Sequence, residues 1–214
     1  MKALRAFRLV AWCVVAIFTL LLIIGYLLQS GGGKRFGEPD TSSTPAIGRP
    51  FELVSHRGQV IDNAVLKGKP YLAFFGFTHC PDICPTTLFE LTTLAEQLGP
   101  DADKLNFVFI SVDFGRDGPE EMKQYLQAFD SRIIGLTGTA EQIDAVAKAY
   151  KIYYAKVPLE GDNYTMDHTA SVILMDAEGR FFGTMDYEEE ASTMLAKLKR
   201  LIRERERINT DQRS

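Results

Sequence analysis

The chain reads as an α/β protein, a central sheet with helices on both faces, preceded by an N-terminal transmembrane helix and a flexible tether. Three observations predict this. Strand-like apolar runs alternate with amphipathic helical stretches from about residue 51 to residue 208, the pattern of a layered α/β domain. One run, Tyr71 to Thr78, is apolar at successive positions, as a central strand covered on both sides should be. Leu9 to Leu28 carries no charge over a length that crosses a hydrocarbon core of roughly 30 Å.

The elements follow in order. Lys2, Arg5 and Arg8 mark residues 1–8 as a basic segment ahead of the anchor at 9–28, which predicts a cytoplasmic N-terminus and an exported remainder. A cleaved signal peptide is the rival reading. Its apolar region runs about 7–15 residues, shorter than this one, and an Ala-x-Ala-like site is missing, although Ser30-Gly31-Gly32-Gly33 offers small residues to a peptidase. We read a retained anchor. Residues 29–45, rich in Gly, Ser, Thr and Pro without hydrophobic period, form the tether. The domain itself spans 46–208, with a short tail at 209–214.

Within the domain, Phe51-Glu52-Leu53-Val54 and Val60-Ile61 read as a hairpin turning at Arg57-Gly58. After the central strand, Pro85 suits the first turn of a helix, and the residue before a proline avoids helical geometry. That predicts a helix from Pro85 to about Leu98, with Cys80 to Cys84 in the loop that leads into it. Leu105 to Val112 is the next strand. Asp117-Gly118-Pro119-Glu120 predicts a helix start with Asp117 as cap and Glu120 completing a capping box; Met122, Tyr125, Leu126 and Phe129 follow at helical spacing. Then come a strand at Ile133–Leu136, a helix from about Ala140 to Tyr150, and strands at Ile152–Val157, Ser171–Met175 and Arg180–Thr184. A last helix, about Tyr187 to Ile208, places Leu195, Leu198 and Ile202 on one stripe.

From residue 29 onward, 21 basic residues face 28 acidic ones, a balance of −7. Such a domain does not attract nucleic acid electrostatically. Glycine patterns for nucleotides are absent. The chemistry lies instead in Phe77-Thr78-His79-Cys80-Pro81-Asp82-Ile83-Cys84-Pro85, where a strand delivers two thiols to a helix mouth; the third, Cys13, sits in the apolar segment. An exported pair would ordinarily be a structural disulfide, but so small a loop stabilises little. The pair is better explained by reactivity.

Thiolate sulfur is soft and selects Cu(I), zinc or iron–sulfur clusters, and a helix N-terminus favours the thiolate. A selective site needs a third ligand, and there are three histidines. His79 adjoins Cys80, so strand alternation points it away from the thiols. His56 lies in the expected hairpin turn. His168, in Met166-Asp167-His168-Thr169-Ala170, precedes the strand Ser171–Leu174. In a thioredoxin-like sheet, the loop before such a strand faces the thiols and usually supplies a cis-proline; here it supplies His168 instead.

Lys67-Gly68-Lys69-Pro70, Phe75-Gly76 with the Cys-x-x-x-Cys segment just quoted, Gly135-Leu136-Thr137-Gly138 and Asp167-His168-Thr169-Ala170 are together similar to the Sco/SenC family, over about Ile47 to Arg200. The resemblance implies a thioredoxin-like fold and copper held by Cys80, Cys84 and His168. It also implies a metallochaperone that helps assemble the dinuclear copper centre of cytochrome c oxidase, with the copper-receiving oxidase subunit as partner. Other copper chaperones or thiol reductants are further candidate partners. The location implied is a single-pass inner-membrane protein, its domain in the periplasm, or in the intermembrane space if organellar. The chain departs from the family where Asp-Pro-Glu-Arg-Asp is common, reading Asp113-Phe114-Gly115-Arg116-Asp117. Asp113 and Asp167 are candidates to line the site; the alternative is that Asp113 and Asp117 only shape a loop and cap a helix.

An alternative function is a thiol–disulfide reductase using Cys80 and Cys84 as redox-active thiols, chemistry that has no need of His168. On the metallochaperone reading the chain is not an enzyme, apart from such auxiliary exchange. A thiol peroxidase and a catalytic zinc site are weaker readings. The one tryptophan, Trp12, is in the apolar segment, and no substrate pocket is identifiable from the sequence.

Overall fold

A computed structural model of the chain describes residues 47–211, together with Trp12, Ile17, Thr19 and Leu20. Apart from those four positions, the expected basic segment, anchor and tether lie outside the described residues, as does the tail from 212. Among the described residues no helix is long and apolar enough to cross a membrane. The chain divides into two units, Met1–Pro45 and Ala46–Ser214, and the elements below belong to the second.

β1 (Glu52–Ser55) and β2 (Val60–Asp62) make the expected antiparallel hairpin, followed by a single helical turn, α1 (Asn63–Leu66). β3 (Tyr71–Gly76) is buried at every position. It lies beside β4 (Asn106–Ser111) in parallel, and β4 lies parallel to β5 (Ile133–Thr137). Antiparallel β8 (Val172–Met175) and β9 (Phe181–Met185) extend the other side of β3. The resulting order is β2-β1-β5-β4-β3-β8-β9, with β3 near the middle. That position explains why its sequence lacks polar alternation: both faces are covered.

Side-chain contacts identify what covers each face. On one, Phe74 and Phe109 stack, Tyr125 packs on Phe109, and Gly76 abuts Cys84 of α2 (Ile83–Leu98). Tyr125 belongs to α3 (Pro119–Leu126), whose Met122 and Leu126 press on Gly135 of β5. On the other face, Phe75 and Tyr71 meet Tyr150 of α4 (Ala140–Tyr150), the Tyr71 and Tyr150 hydroxyls 2.6 Å apart. A capping box of Thr139 and Gln142 starts α4, and Lys151 ends it in left-handed geometry at φ 59°. The C-terminal α5 (Ala191–Asp211) packs on α2 and buries Met194, Leu198, Leu201 and Ile202. The expected stripe is there, with Leu195 at its edge.

Three expectations need correction. α2 begins at Ile83, so Cys84 sits in the first helical turn. Proline lacks an N–H, but the first turn has no internal acceptor for one, so Pro85 is accommodated while Thr86 N–H bonds the Asp82 carbonyl. α3 is capped at Gly118 with Pro119 in the first turn, and Asp117 makes no capping bond. Its buried carboxylate instead accepts from Thr78 N–H (2.8 Å), Thr78 Oγ1 (2.6 Å) and Ser111 Oγ (2.6 Å), long-range donors that outcompete a local cap. Finally, Tyr164–His168 is a strand, β7, rather than a loop; it pairs with β6 (Tyr154–Pro158) in a separate two-stranded sheet.

Candidate metal centre

Two chain segments converge beyond the end of β3. The first leaves the strand at Gly76 and passes through Phe77 and Thr78 to Cys80, with Cys84 one turn further, inside α2. The second is β7, which ends on His168, opposite Tyr154 in the hairpin register. The two sulfurs and one imidazole nitrogen all lie within 4.8 Å of one another, and Cys84 Sγ is 3.4 Å from His168 Nε2. Two donors bound to one ion at about 2.0–2.3 Å each lie roughly 3.3–3.8 Å apart at angles near 100–120°. The Cys84–His168 pair is therefore already spaced for a shared metal, with the Cys80 sulfur within 4.8 Å of both. Two thiolates and one imidazole form a soft set.

The cluster is graded in exposure. Cys84 is wholly buried, while Cys80 and His168 are half-buried, so the site opens on the Cys80 side. Charge is graded the same way. A hydrogen bond from Cys84 holds the Cys80 thiol down at about 4, with further help from the Asp82 and Cys84 amides, and against partial desolvation. The Cys84 amide, in the first turn of α2, donates to Cys80 Sγ at 3.4 Å. The same contact, with burial, pushes the Cys84 thiol far above its ordinary range. One sulfur is thus a half-buried thiolate and the other a buried thiol.

The imidazole is oriented as well as placed. His168 Nδ1 lies 3.0 Å from the Thr169 carbonyl, which can only accept, so Nδ1 carries the proton. Nε2 then presents its lone pair toward the sulfurs. The rings of Phe74 and Phe77 stand edge-on to it, with centroids 6.2 and 5.8 Å away.

The other candidates lie elsewhere. His56 Nδ1 accepts from Gly135 N–H at 3.0 Å, on the β1–β2 turn. His79 is half-exposed, 3.6 Å from Asp117, in a second group with Asp113 and Asp117. Asp113 is buried and touches Arg116 and Tyr164 rather than a sulfur. Asp167, beside His168, is exposed. The sequence reading missed Tyr164 and the bonding of Asp117. The alternation Tyr164-x-Met166-x-His168 is a period-two signal that marks a strand; nothing local reveals what Asp117 holds.

A family model described as SCO1/SenC matches residues 39–203. A SCO2-like protein of Rickettsia prowazekii is 42% identical over 137 residues, 63% of this chain and 67% of that one. The human mitochondrial SCO1 homolog is 38% identical over 149 residues, 67% of this chain but only 48% of its own length. Among solved structures, copper-bound ScoI of Bradyrhizobium japonicum is similar, with 47% identity, a TM-score of 0.69, and 73% and 99% of the two chains covered. BsSco, a Sco-family cytochrome c oxidase assembly protein with a disulfide switch, matches with 25% identity and a TM-score of 0.58, over 73% of this chain and 94% of its own.

Proposed function

The chain belongs to the SCO1/SenC family, and on that premise we propose that it is a copper metallochaperone. It binds one copper through Cys80, Cys84 and His168 and delivers it to the dinuclear copper centre of cytochrome c oxidase. One observation carries the reading: donors separated by 84 residues in sequence, Cys84 Sγ and His168 Nε2, meet at 3.4 Å beside a second sulfur. Copper-bound relatives with the same fold support it.

The chemistry suits a cargo. Two soft thiolates and an imidazole satisfy Cu(I) without enclosing it, and the Cys80 side stays open. An acceptor thiol can join the metal before Cys80 leaves, so copper passes by ligand exchange and is never free. The anchor at 9–28 would keep the domain at the inner membrane, on the periplasmic or intermembrane-space side; mitochondrial relatives favour such a location. The oxidase subunit that receives copper is the principal partner, with copper donors and thiol reductants upstream.

A second reading is favoured by the low pKa of Cys80, about 4. Its thiolate would attack a disulfide in the acceptor, forming a mixed disulfide and releasing one acceptor thiolate. Cys84 would then lose its proton and attack Cys80 Sγ, closing a Cys80–Cys84 disulfide and freeing the second acceptor thiol. Two electrons pass from the pair to the acceptor. The roles alternate, since an oxidised pair cannot hold copper.

The test is His168→Ala. Copper affinity should fall by more than the roughly 10–100-fold typical of losing an outer partner, while thiol–disulfide exchange stays near wild type. Unchanged affinity in a competition titration would remove His168 from the site and leave the reductase reading.

A further inference from the structure

The hairpin that carries His168 is not part of the main sheet: β6 and β7 pair only with each other. The imidazole therefore keeps its position only if something ties this hairpin to the body of the domain. One side-chain tie runs through the loop after β4; another joins the Tyr154 hydroxyl of β6 to Asp144 of α4 at 2.6 Å. Tyr164, at the start of β7, donates its hydroxyl to Asp113 Oδ1 at 2.8 Å. Arg116 bonds the other Asp113 oxygen, donates to the Tyr164 carbonyl at 3.0 Å, and lays its guanidinium 3.7 Å from the Tyr164 ring centroid. Lys156 Nζ is 3.6 Å from the same centroid, so two cations hold one ring. Asp113 is 3% exposed, which shields this ion pair from screening. Four residues on, Asp117 binds Thr78, two residues before Cys80. One turn of chain thus grips both halves of the metal centre.

We propose that Asp113, Arg116 and Tyr164 form a positioning clamp that holds the imidazole-bearing hairpin against the thiol loop and so sets the copper affinity of the site. This rests on the copper-site reading above. The clamp touches none of the three donors. Tyr164 precedes His168 by four residues, about 13 Å along a strand at roughly 3.3 Å per residue. Its effect on copper must therefore pass through the placement of His168.

The experiment uses the full-length chain, purified anaerobically, with copper affinity measured by competition against a chromophoric Cu(I) chelator. Tyr164→Phe removes one hydroxyl and Asp113→Asn removes one charge. Each is expected to weaken copper binding about 10–100-fold, the range seen when groups that orient metal ligands are lost, and to speed copper extraction by the chelator. Cys80 alkylation should keep its wild-type rate, because the thiol loop is held separately by Asp117. The decisive measurement is a cycle with His168→Ala. In that background Tyr164→Phe should cost no further affinity, since there is no imidazole left to position. Wild-type affinity in Tyr164→Phe and Asp113→Asn, or equal losses with and without His168, would overturn the clamp. If His168→Ala alone leaves affinity unchanged, it is the ligand assignment that fails instead.

Discussion

Cys80 and Cys84 are the same residue type four positions apart, yet their environments drive them in opposite directions. Cys80 receives hydrogen bonds and reaches solvent; Cys84 gives its proton toward Cys80 from a buried position. The shift on Cys80 is downward, to about 4, so its thiolate is fully formed above roughly pH 6 and is lost only as pH falls through about 4. Alkylation of Cys80 in the reduced protein should therefore be nearly flat between pH 6 and 8. An ordinary thiol, with a pKa near 8.5, speeds up almost tenfold per pH unit over that range. Mass-spectrometric rates for each cysteine check this; a tenfold rise per unit at Cys80 would show that the thiolate is not preformed. The identities of Cys80, Cys84 and His168 were legible in the sequence because soft donors are rare in it and their types are chemically explicit. Asp117 was not, since its three donors come from the turn after β3 and the end of β4, and its local setting, ahead of Gly118-Pro119, imitates a helix cap.

At the scale of elements, the site depends on how closely α2 approaches β3. Gly76 permits the approach: a Cβ there would lie 2.6 Å from Cys84 Sγ and 2.8 Å from the Phe109 ring. Both distances are shorter than real contacts allow, and neither neighbour is the end of a flexible chain. Gly76→Ala should then cost about 1–3 kcal/mol as an overpacked substitution, seen in denaturant unfolding, and should weaken copper binding by displacing Cys84. A variant with wild-type stability and copper affinity would mean that α2 can retreat freely. The helices and central strands were readable because hydrophobic period and strand burial agree along β3, α4 and α5. β7 escaped because its alternation is short and half-exposed, and its partner β6 lies outside the main sheet.

For the whole molecule, copper held by Cys80, Cys84 and His168 would join segments that are distant in the chain, the β3–α2 loop and the β6–β7 hairpin, so a bound metal should oppose unfolding globally. At free Cu(I) of about one hundred times Kd, linkage gives roughly 2.7 kcal/mol. For a domain of this size that is a rise in Tm of about 5–11 °C. Calorimetry of the full-length chain with and without Cu(I) measures it, and Cys80→Ser should abolish the rise; an equal rise in that variant would place the metal elsewhere. The sequence alone determined the alternating α/β layout, the buried central strand, the thiol pair and the histidine that could complete it, because each is written in local period or residue chemistry. Only the tertiary structure decided that the imidazole faces the sulfurs through Nε2, that Cys80 rather than Cys84 is the thiolate, and that a buried aspartate loop ties both halves together. Those depend on distances between segments many residues apart, which packing sets and no local pattern encodes.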